Sequence, residues 1–162
     1  MSTLIRHAVQ TLSPYIPGEQ PNHNTLIKLN TNENPYPPSP MVDDVLNNIC
    51  ANDLREYPDP TNSNLRHRLS QIYGVLPSQI FIGNGSDEIL ALATRAFVEN
   101  NQTIGCCDTS YSLYSILAQI LNIRVRLIKL DSNFKWPKPE GTSDALFFLA
   151  NPSVPTGTLI KK

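Results

Sequence analysis

Two strand-to-helix segments carry residue types that can hold a phosphate group and a flat ring. The first, Gly83-Asn84-Gly85-Ser86-Asp87-Glu88, follows a short apolar run and opens a helical pattern. Glycines permit a tight turn, and the N–H groups and partial positive charge of a helix start suit a phosphate. Ser86 or Asp87 could equally serve only as the helix cap, so the spacing alone leaves both interpretations open. In the second segment Tyr111 follows another apolar run, where its ring could stack on a flat heterocycle or, with Tyr114, pack into the core.

A third segment, Asn151-Pro152-Ser153-Val154-Pro155-Thr156-Gly157, follows the apolar run 145–149. Its two prolines favour a rigid loop over a helix start. Such a loop can aim the Asn151 amide at a ligand, although the pattern by itself indicates only a turn.

Hydrophobic spacing predicts the elements that must position these loops. The predicted helices span 42–49, 61–73, 86–99 and 111–121, and the predicted strands span 79–82, 103–107, 123–130 and 145–149, with a further strand candidate at 26–29. Alternating strands and helices indicate an α/β fold with right-handed crossovers. The uninterrupted apolar run 145–149 suits a parallel strand that is covered on both faces. In such sheets ligands bind beyond the carboxyl ends of the strands, where the three loops lie.

Composition excludes several classes of protein. The 162 residues are 40% hydrophobic with a formal charge of −1, which suits one ordinary domain and gives no basic face for nucleic acid. No apolar stretch is long enough to span a membrane, and the N-terminus lacks a signal-peptide core. We therefore expect a cytoplasmic protein. The three cysteines and three histidines show no metal-ligand spacing, so we expect no metal site.

The loops as a set resemble the fold-type-I pyridoxal-phosphate aminotransferases, and most closely the histidinol-phosphate aminotransferase family. The match runs from about residue 12 to the end of the chain, in the family's order. The further segments that carry it are Pro14-Tyr15-Ile16-Pro17-Gly18, Leu29-Asn30-Thr31-Asn32-Glu33-Asn34-Pro35-Tyr36-Pro37 and Arg55-Glu56-Tyr57-Pro58-Asp59-Pro60. The Asn-Glu-Asn-Pro and Tyr-Pro-Asp-Pro elements are narrower markers than the Pro-Thr-Gly loop, which many aminotransferases share.

The resemblance implies a three-layer α/β/α fold with a mainly parallel sheet. Residues 1–40 would form an N-terminal arm that borders the substrate, and residues 41–162 would form the N-terminal part of the large cofactor-binding domain. The implied reaction transfers an amino group between histidinol phosphate and 2-oxoglutarate, in histidine biosynthesis. The implied cofactor is pyridoxal 5'-phosphate, and the implied partners are these small molecules and a second subunit of a homodimer.

The resemblance also assigns roles to individual residues. Those implied to bind the cofactor are Tyr57, Gly85, Ser86, Asp87, Tyr111 and Asn151, and those implied to border the substrate are Tyr15, Glu33 and Asn34. The amides of Ser86 and Asp87 would hold the phosphate, Tyr111 would stack on the ring, and Tyr57 would reach the partner subunit's cofactor. Val154 departs from the pattern of many family members, which have at this position an asparagine that bonds the cofactor's phenolic oxygen. Asn151, Ser153 or another group must then replace it.

Two alternatives to this transaminase stay open from the sequence. A non-catalytic α/β module could use the Gly83–Glu88 turn to bind a phosphate or nucleotide. A related pyridoxal-phosphate aminotransferase or decarboxylase could act on another amino substrate, because such enzymes share much of this loop set.

The resemblance also predicts a limit on what the chain does alone. None of the six lysines lies in the Ser-Lys context that the family uses to hold the cofactor covalently, and that lysine is expected beyond residue 162. We expect the isolated chain to bind pyridoxal phosphate weakly and not to transaminate. Incubation with the cofactor followed by borohydride should therefore leave no stoichiometrically trapped lysine, and a trapped lysine would overturn this expectation.

Overall fold

The computed structural model describes residues 4–13, 27–137 and 143–160. The chain folds into two compact units, one of Met1–Ser13 with Ile82–Lys162 and the other of Pro14–Phe81. In chain order the elements are α1 (His7–Gln10), α2 (Pro40–Asn48), α3 (Ser63–Tyr73), α4 (Gly85–Phe97), β1 (Thr103–Cys107), α5 (Leu113–Leu121), β2 (Arg124–Ile128) and β3 (Leu146–Phe148). The predicted division at residue 40 rests on the family resemblance rather than on packing, and it stays a prediction.

A parallel sheet organises the first unit. Its strand order is β2-β1-β3, so the central strand is the first of the three in sequence. In register, Ile104 of β1 lies beside Val125 of β2 and Leu146 of β3. Because all three strands run in the same direction, their carboxyl ends meet at one edge of the sheet. The α/β fold class predicted from the sequence is confirmed.

The core lies on one face of this sheet. Alternate strand residues Ile104, Cys106 and Phe148 are buried there against Tyr114 and Ala118 of α5. Helix α4 adds the partly buried Leu90 to the same cluster. Burial raises the pKa of the Cys106 and Cys107 thiols, so at neutral pH both are protonated and pack as small apolar groups.

The opposite face of the sheet is built around Gly105. The guanidinium of Arg126 on β2 donates to both carboxylate oxygens of Asp144, whose side chain is only 1% exposed. Phe147 of β3 stacks on Trp136 with ring centroids 5.6 Å apart. A Cβ at residue 105 would overlap both Asp144 and Phe147, so this strand position requires glycine.

The second unit is helical in its described part, and common capping residues stand at the start of α2 and at the end of α3. Pro40 opens α2 directly after Ser39, whose hydroxyl accepts a hydrogen bond from the Met41 N–H at 3.4 Å. Helix α3 ends at Gly74, which adopts φ +66°. None of the helices in the described ranges of either unit is long and apolar enough to span a bilayer.

Four predicted helices and three predicted strands are confirmed, with ends that differ by at most two residues. The predicted strand 79–82 is wrong. Pro77–Gln79 forms a short 3-10 turn, in which the Gln79 side chain accepts a hydrogen bond from the Leu76 N–H at 2.9 Å. The following apolar run pairs with no strand of the described chain, and Phe81 is 71% exposed. The strand candidate at 26–29 is also wrong over 27–29, and Leu26 lies outside the described residues.

The Gly105 position predicts a large cost for a single methyl group. We expect Gly105→Ala to lower the free energy of unfolding by about 1–3 kcal/mol, because the added Cβ must displace Asp144 or Phe147. Urea denaturation of the purified protein measures this change. Thr103→Ala, in the same strand, is the matched control and should cost less than about 1 kcal/mol. Equal costs for the two variants would contradict the steric argument.

Candidate functional site

Two glycines shape the turn before α4, one through its backbone conformation and the other through close packing. Gly85, the first residue of the helix, has φ +82°, a conformation that side chains rarely tolerate. A Cβ on Gly85 would meet no atom within 4 Å, so the space in front of the helix start is open. Gly83 is closely packed, since a Cβ there would lie 2.6 Å from Ile89 Cδ1 and 2.8 Å from Glu88 Oε2.

The start of α4 presents backbone donors next to Gly85. The N–H groups of Ser86 and Asp87 lie in the first helical turn, where the helix itself offers no acceptor. The carboxylate of Glu88 is turned back and accepts the Asn84 N–H at 2.5 Å, which fixes the chain just before the helix. The open side of this turn can therefore accept an anionic group, stabilised by backbone N–H groups and by the helix dipole.

Tyr111 lies at this helix start. Its hydroxyl donates a hydrogen bond to the Asp87 carboxylate, 3.1 Å from Oδ1 and 3.3 Å from Oδ2. The two residues are 24 positions apart in sequence, so the contact is tertiary. Tyr111 is 39% exposed, which leaves part of its ring open to a ligand. Four of the residues predicted to bind a cofactor, Gly85, Ser86, Asp87 and Tyr111, are thus brought together.

Two further aromatic rings pack in a row with Tyr111 and lead into the core. Tyr114 meets it edge to face, with ring centroids 5.8 Å apart and planes at 83°. Tyr114 in turn stacks on Phe148 of β3 at 4.8 Å. The sequence left Tyr111 and Tyr114 as either packing or ligand-facing residues. The structure separates them, because Tyr114 is buried in the core whereas Tyr111 lies at its rim.

Asp108 secures the edge of the sheet on which this site stands. Its backbone N–H donates to Ile128 O at 2.9 Å, just beyond the β1–β2 ladder. Its side chain accepts the Thr109 N–H at 2.7 Å and the Leu130 N–H at 3.4 Å. The carboxyl ends of β1 and β2 are therefore tied together directly before the segment that carries Tyr111.

Asn151 is held within its own loop. Its side-chain oxygen accepts the Ile160 N–H at 2.9 Å, and its amide nitrogen donates to Ile160 O at 3.1 Å. Ser153, two residues further along the same loop, is buried. Its N–H donates to Thr158 O, and its carbonyl oxygen accepts the Gly157 N–H. The described contacts link Asn151 to its own loop rather than to the α4 start. One N–H of its amide is not used by the Ile160 pair and could meet a ligand.

Tyr57 belongs to the second unit and is 90% exposed. Two residues later, Asp59 accepts four hydrogen bonds, from the N–H and hydroxyl groups of both Thr61 and Ser63, at 2.5–2.9 Å. These bonds, those from Ser63 first, hold the pKa of Asp59 far below its ordinary value of 3.8. The carboxylate thus joins the Tyr57 turn to the first residue of α3.

The predicted substrate-bordering residues in the second unit are also paired locally. Glu33 accepts a hydrogen bond from the Lys28 ammonium, and this contact, with a further one from Thr31, lowers the pKa of Glu33. Asn34 accepts the Tyr36 N–H at 3.0 Å through its side-chain oxygen. The structure thus shows Glu33 as one half of an ion pair. Tyr15 lies outside the described residues.

Sequence reasoning missed several residues that build the site. Glu88, Asp108 and Phe148 position its main elements, and Asp59 organises the Tyr57 turn. Asp59 lies in the segment Arg55–Pro60 and Glu88 in the segment Gly83–Glu88. Acidic residues are too common in turns for the sequence to show which N–H groups donate to them. Within the described ranges, no three His, Cys, Asp or Glu side chains gather as metal ligands.

Comparison with known proteins identifies relatives over nearly the whole chain. The family model "Aminotransferase class I and II" matches residues 24–162. Histidinol-phosphate aminotransferase of Clostridium beijerinckii is 43% identical over 161 residues, which are 99% of this chain and 45% of that protein. The enzyme of the same name from Chromohalobacter salexigens is 44% identical over 158 residues, 97% of this chain and 45% of its own length. The chain thus spans about half the length of these relatives.

Solved structures share the fold. Histidinol-phosphate aminotransferase of Sinorhizobium meliloti, in complex with pyridoxal-5'-phosphate, superposes with a TM-score of 0.61 at 23% identity. The alignment covers 73% of this chain and 33% of that one. The parallel sheet and its helices therefore share their fold with a protein whose structure has been solved.

The Asp59 contacts predict a pH-dependent stability. Because its pKa is lowered in the folded state, Asp59 stabilises the protein above pH 4, and this contribution is lost as the pH falls below about 4. We expect Asp59→Asn to be less stable than the wild type at pH 6, with the difference shrinking between pH 4 and pH 2. Urea denaturation at several pH values measures it. Asp44→Asn on α2 is the control, and a pH-independent Asp59→Asn effect would contradict the assignment.

Proposed function

The chain belongs to the aminotransferase class I and II family, and from that premise we propose that its protein is a pyridoxal-phosphate-dependent histidinol-phosphate transaminase. The reaction would convert histidinol phosphate and 2-oxoglutarate to imidazole acetol phosphate and glutamate. The names of the relatives support the choice of substrate, since the two described above are histidinol-phosphate aminotransferases. Because the chain spans under half of each, the activity is proposed for the whole protein.

The hydrogen bond between Tyr111 and Asp87 is the observation that carries the proposal. It puts an aromatic ring and a set of first-turn amides within one small site, at the distance that one hydrogen bond spans. A phosphate and a flat ring joined by a short linker need these two features side by side. A binding module for phosphate alone would need only the amides of the Gly83–Glu88 turn, so the adjacent ring favours a ligand that joins a phosphate to a flat ring. Membership of the aminotransferase family favours pyridoxal phosphate over a nucleotide as that ligand.

The residues present fit the proposed cofactor. A side chain at residue 85 would occupy the open space beside the helix start, and the amides of Ser86 and Asp87, the next two residues, would bind the phosphate. The exposed part of the Tyr111 ring would stack on the pyridine ring. When bound, pyridoxal phosphate acts as an electron sink that eases proton loss from the amino substrate.

Asn151 has a narrower role than the sequence suggested. Two hydrogen bonds to Ile160 fix the plane of its amide, and the remaining N–H would donate to the cofactor's phenolic oxygen. Val154, at the position where the family has an asparagine, carries no donor in its side chain. We therefore assign the contact to Asn151 and not to Val154.

Residues of the second unit would meet the substrate and a partner subunit. Tyr57, exposed and carried on a turn that Asp59 stiffens, would reach the cofactor phosphate of the second subunit in a cytoplasmic homodimer. Glu33 would accept an imidazole N–H, because a carboxylate is a strong acceptor for an N–H donor. Asn34 and Tyr15 would border the same substrate.

Substitution of Ser86 tests the phosphate site. Proline at residue 86 removes one amide donor without removing a helical hydrogen bond, because a first-turn N–H has no helical acceptor. We expect Ser86→Pro to weaken pyridoxal phosphate binding at least about tenfold, the worth of one charge-assisted hydrogen bond. Absorbance titration of the purified full-length protein measures the affinity, and glutamate formation from histidinol phosphate and 2-oxoglutarate measures the activity.

Ser86→Ala is the matched control, since it keeps the amide and removes only the hydroxyl. It should bind within about threefold of the wild type. Equal weakening by both substitutions would contradict a backbone phosphate site. A wild-type protein that binds pyridoxal phosphate but makes no glutamate from these substrates would contradict the proposed reaction.

A further inference from the structure

We propose that Asp87 is a positioning residue whose side chain sets the orientation of the Tyr111 ring over the phosphate-binding turn. The inference rests on the proposed function and assigns a role to the carboxylate, as distinct from the backbone amide of the same residue. Its basis is the hydrogen bond from the Tyr111 hydroxyl to both carboxylate oxygens, at 3.1 and 3.3 Å.

Two of the contacts that Tyr111 makes constrain its ring. Tyr114 packs against it edge to face, and Tyr114 is itself stacked on Phe148 of β3, so one side of Tyr111 is fixed by the core. The Asp87 carboxylate accepts a hydrogen bond from the hydroxyl end of the ring and connects the ring to α4. The result is a row from β3 to the start of α4, formed by Phe148, Tyr114, Tyr111 and Asp87.

The charge of Asp87 makes a purely structural role a poor explanation. A carboxylate in the first turn gains from the helix dipole, but the same charge opposes an anion bound to the amides beside it. A neutral cap would avoid that repulsion. The carboxylate is, however, a strong acceptor for the Tyr111 hydroxyl, because a charged acceptor makes a stronger hydrogen bond than a neutral one.

Four variants of the purified full-length protein separate ring positioning from the effect of charge: Asp87→Ala, Asp87→Asn, Tyr111→Phe and the double variant Asp87→Ala/Tyr111→Phe. Each is titrated with pyridoxal phosphate and, separately, with inorganic phosphate. Both ligands carry the phosphate charge, and only the first has a ring. The ratio of the two affinities therefore cancels the repulsion between Asp87 and the phosphate and reports the contribution of the ring.

We expect the affinity ratio to fall about fivefold in Asp87→Ala and in Tyr111→Phe, as for the loss of one hydrogen bond. The double variant should show the same fivefold loss rather than about 25-fold, because both substitutions break the same contact. Asp87→Asn keeps an acceptor oxygen and should restore the wild-type ratio. The circular dichroism band of the bound cofactor, which depends on its orientation, should weaken in Asp87→Ala, Tyr111→Phe and the double variant and persist in Asp87→Asn.

Two kinds of result would overturn the inference, and they are distinguishable. If the wild type binds pyridoxal phosphate and either the ratio is unchanged in Asp87→Ala or the two single losses multiply, Asp87 does not act through Tyr111 and the proposed function stands. If the wild type binds inorganic phosphate but prefers pyridoxal phosphate by no measurable factor, the proposed cofactor site and the inference fall together.

Discussion

The hydrogen bond between the Tyr111 hydroxyl and the Asp87 carboxylate joins two segments that are 24 positions apart in sequence. Asp87 is placed by the glycine turn that opens α4, and Tyr111 by the segment after β1. Without this contact the first-turn amides of α4 and the aromatic ring would be separate features of two loops. With it they lie side by side, which is the arrangement that the proposed cofactor site requires. These two side chains lie within hydrogen-bond distance because of how the helices and strands pack. The strand order and the row of rings beside Tyr111 are part of that packing.

The sheet supplies the rigidity that this contact needs. On its core face, Phe148 and Tyr114 extend a stacked row from β3 to the rim of the site. On its other face, Gly105 leaves room for the Arg126–Asp144 ion pair to cross the central strand. A charge-assisted pair of this kind, nearly buried on the carboxylate side, would be costly if either partner were missing. The two faces thus hold the strands from opposite sides, next to the strand ends that lead to Tyr111 and Asn151.

In the second unit, acidic side chains organise turns. Asp59 gathers four donors at the start of α3, and Glu33 pairs with Lys28. In both cases the hydrogen bonds lower the pKa, because the donors stabilise the ionised carboxylate, and the turns are held by charge-assisted contacts. The turn that carries Tyr57 is therefore ordered by its own residues even though the tyrosine is almost fully exposed. Such order reduces the entropy that an exposed side chain would lose on binding a partner.

The sequence by itself determined the helices, the three strands and the identity of the loops, because hydrophobic periodicity and turn residues are local properties. The glycine turn and Tyr111 were recognised from their types and from the family they resemble. Only the tertiary structure decided that Tyr111 faces the site while Tyr114 faces the core, since two tyrosines three residues apart have the same local pattern. Likewise, Ile80–Ile82 has the composition of a strand, but a strand exists only where another strand offers hydrogen bonds, and the described chain offers none there. Which donor each carboxylate meets depends on distances between segments far apart in sequence, and those distances arise only when the chain is folded.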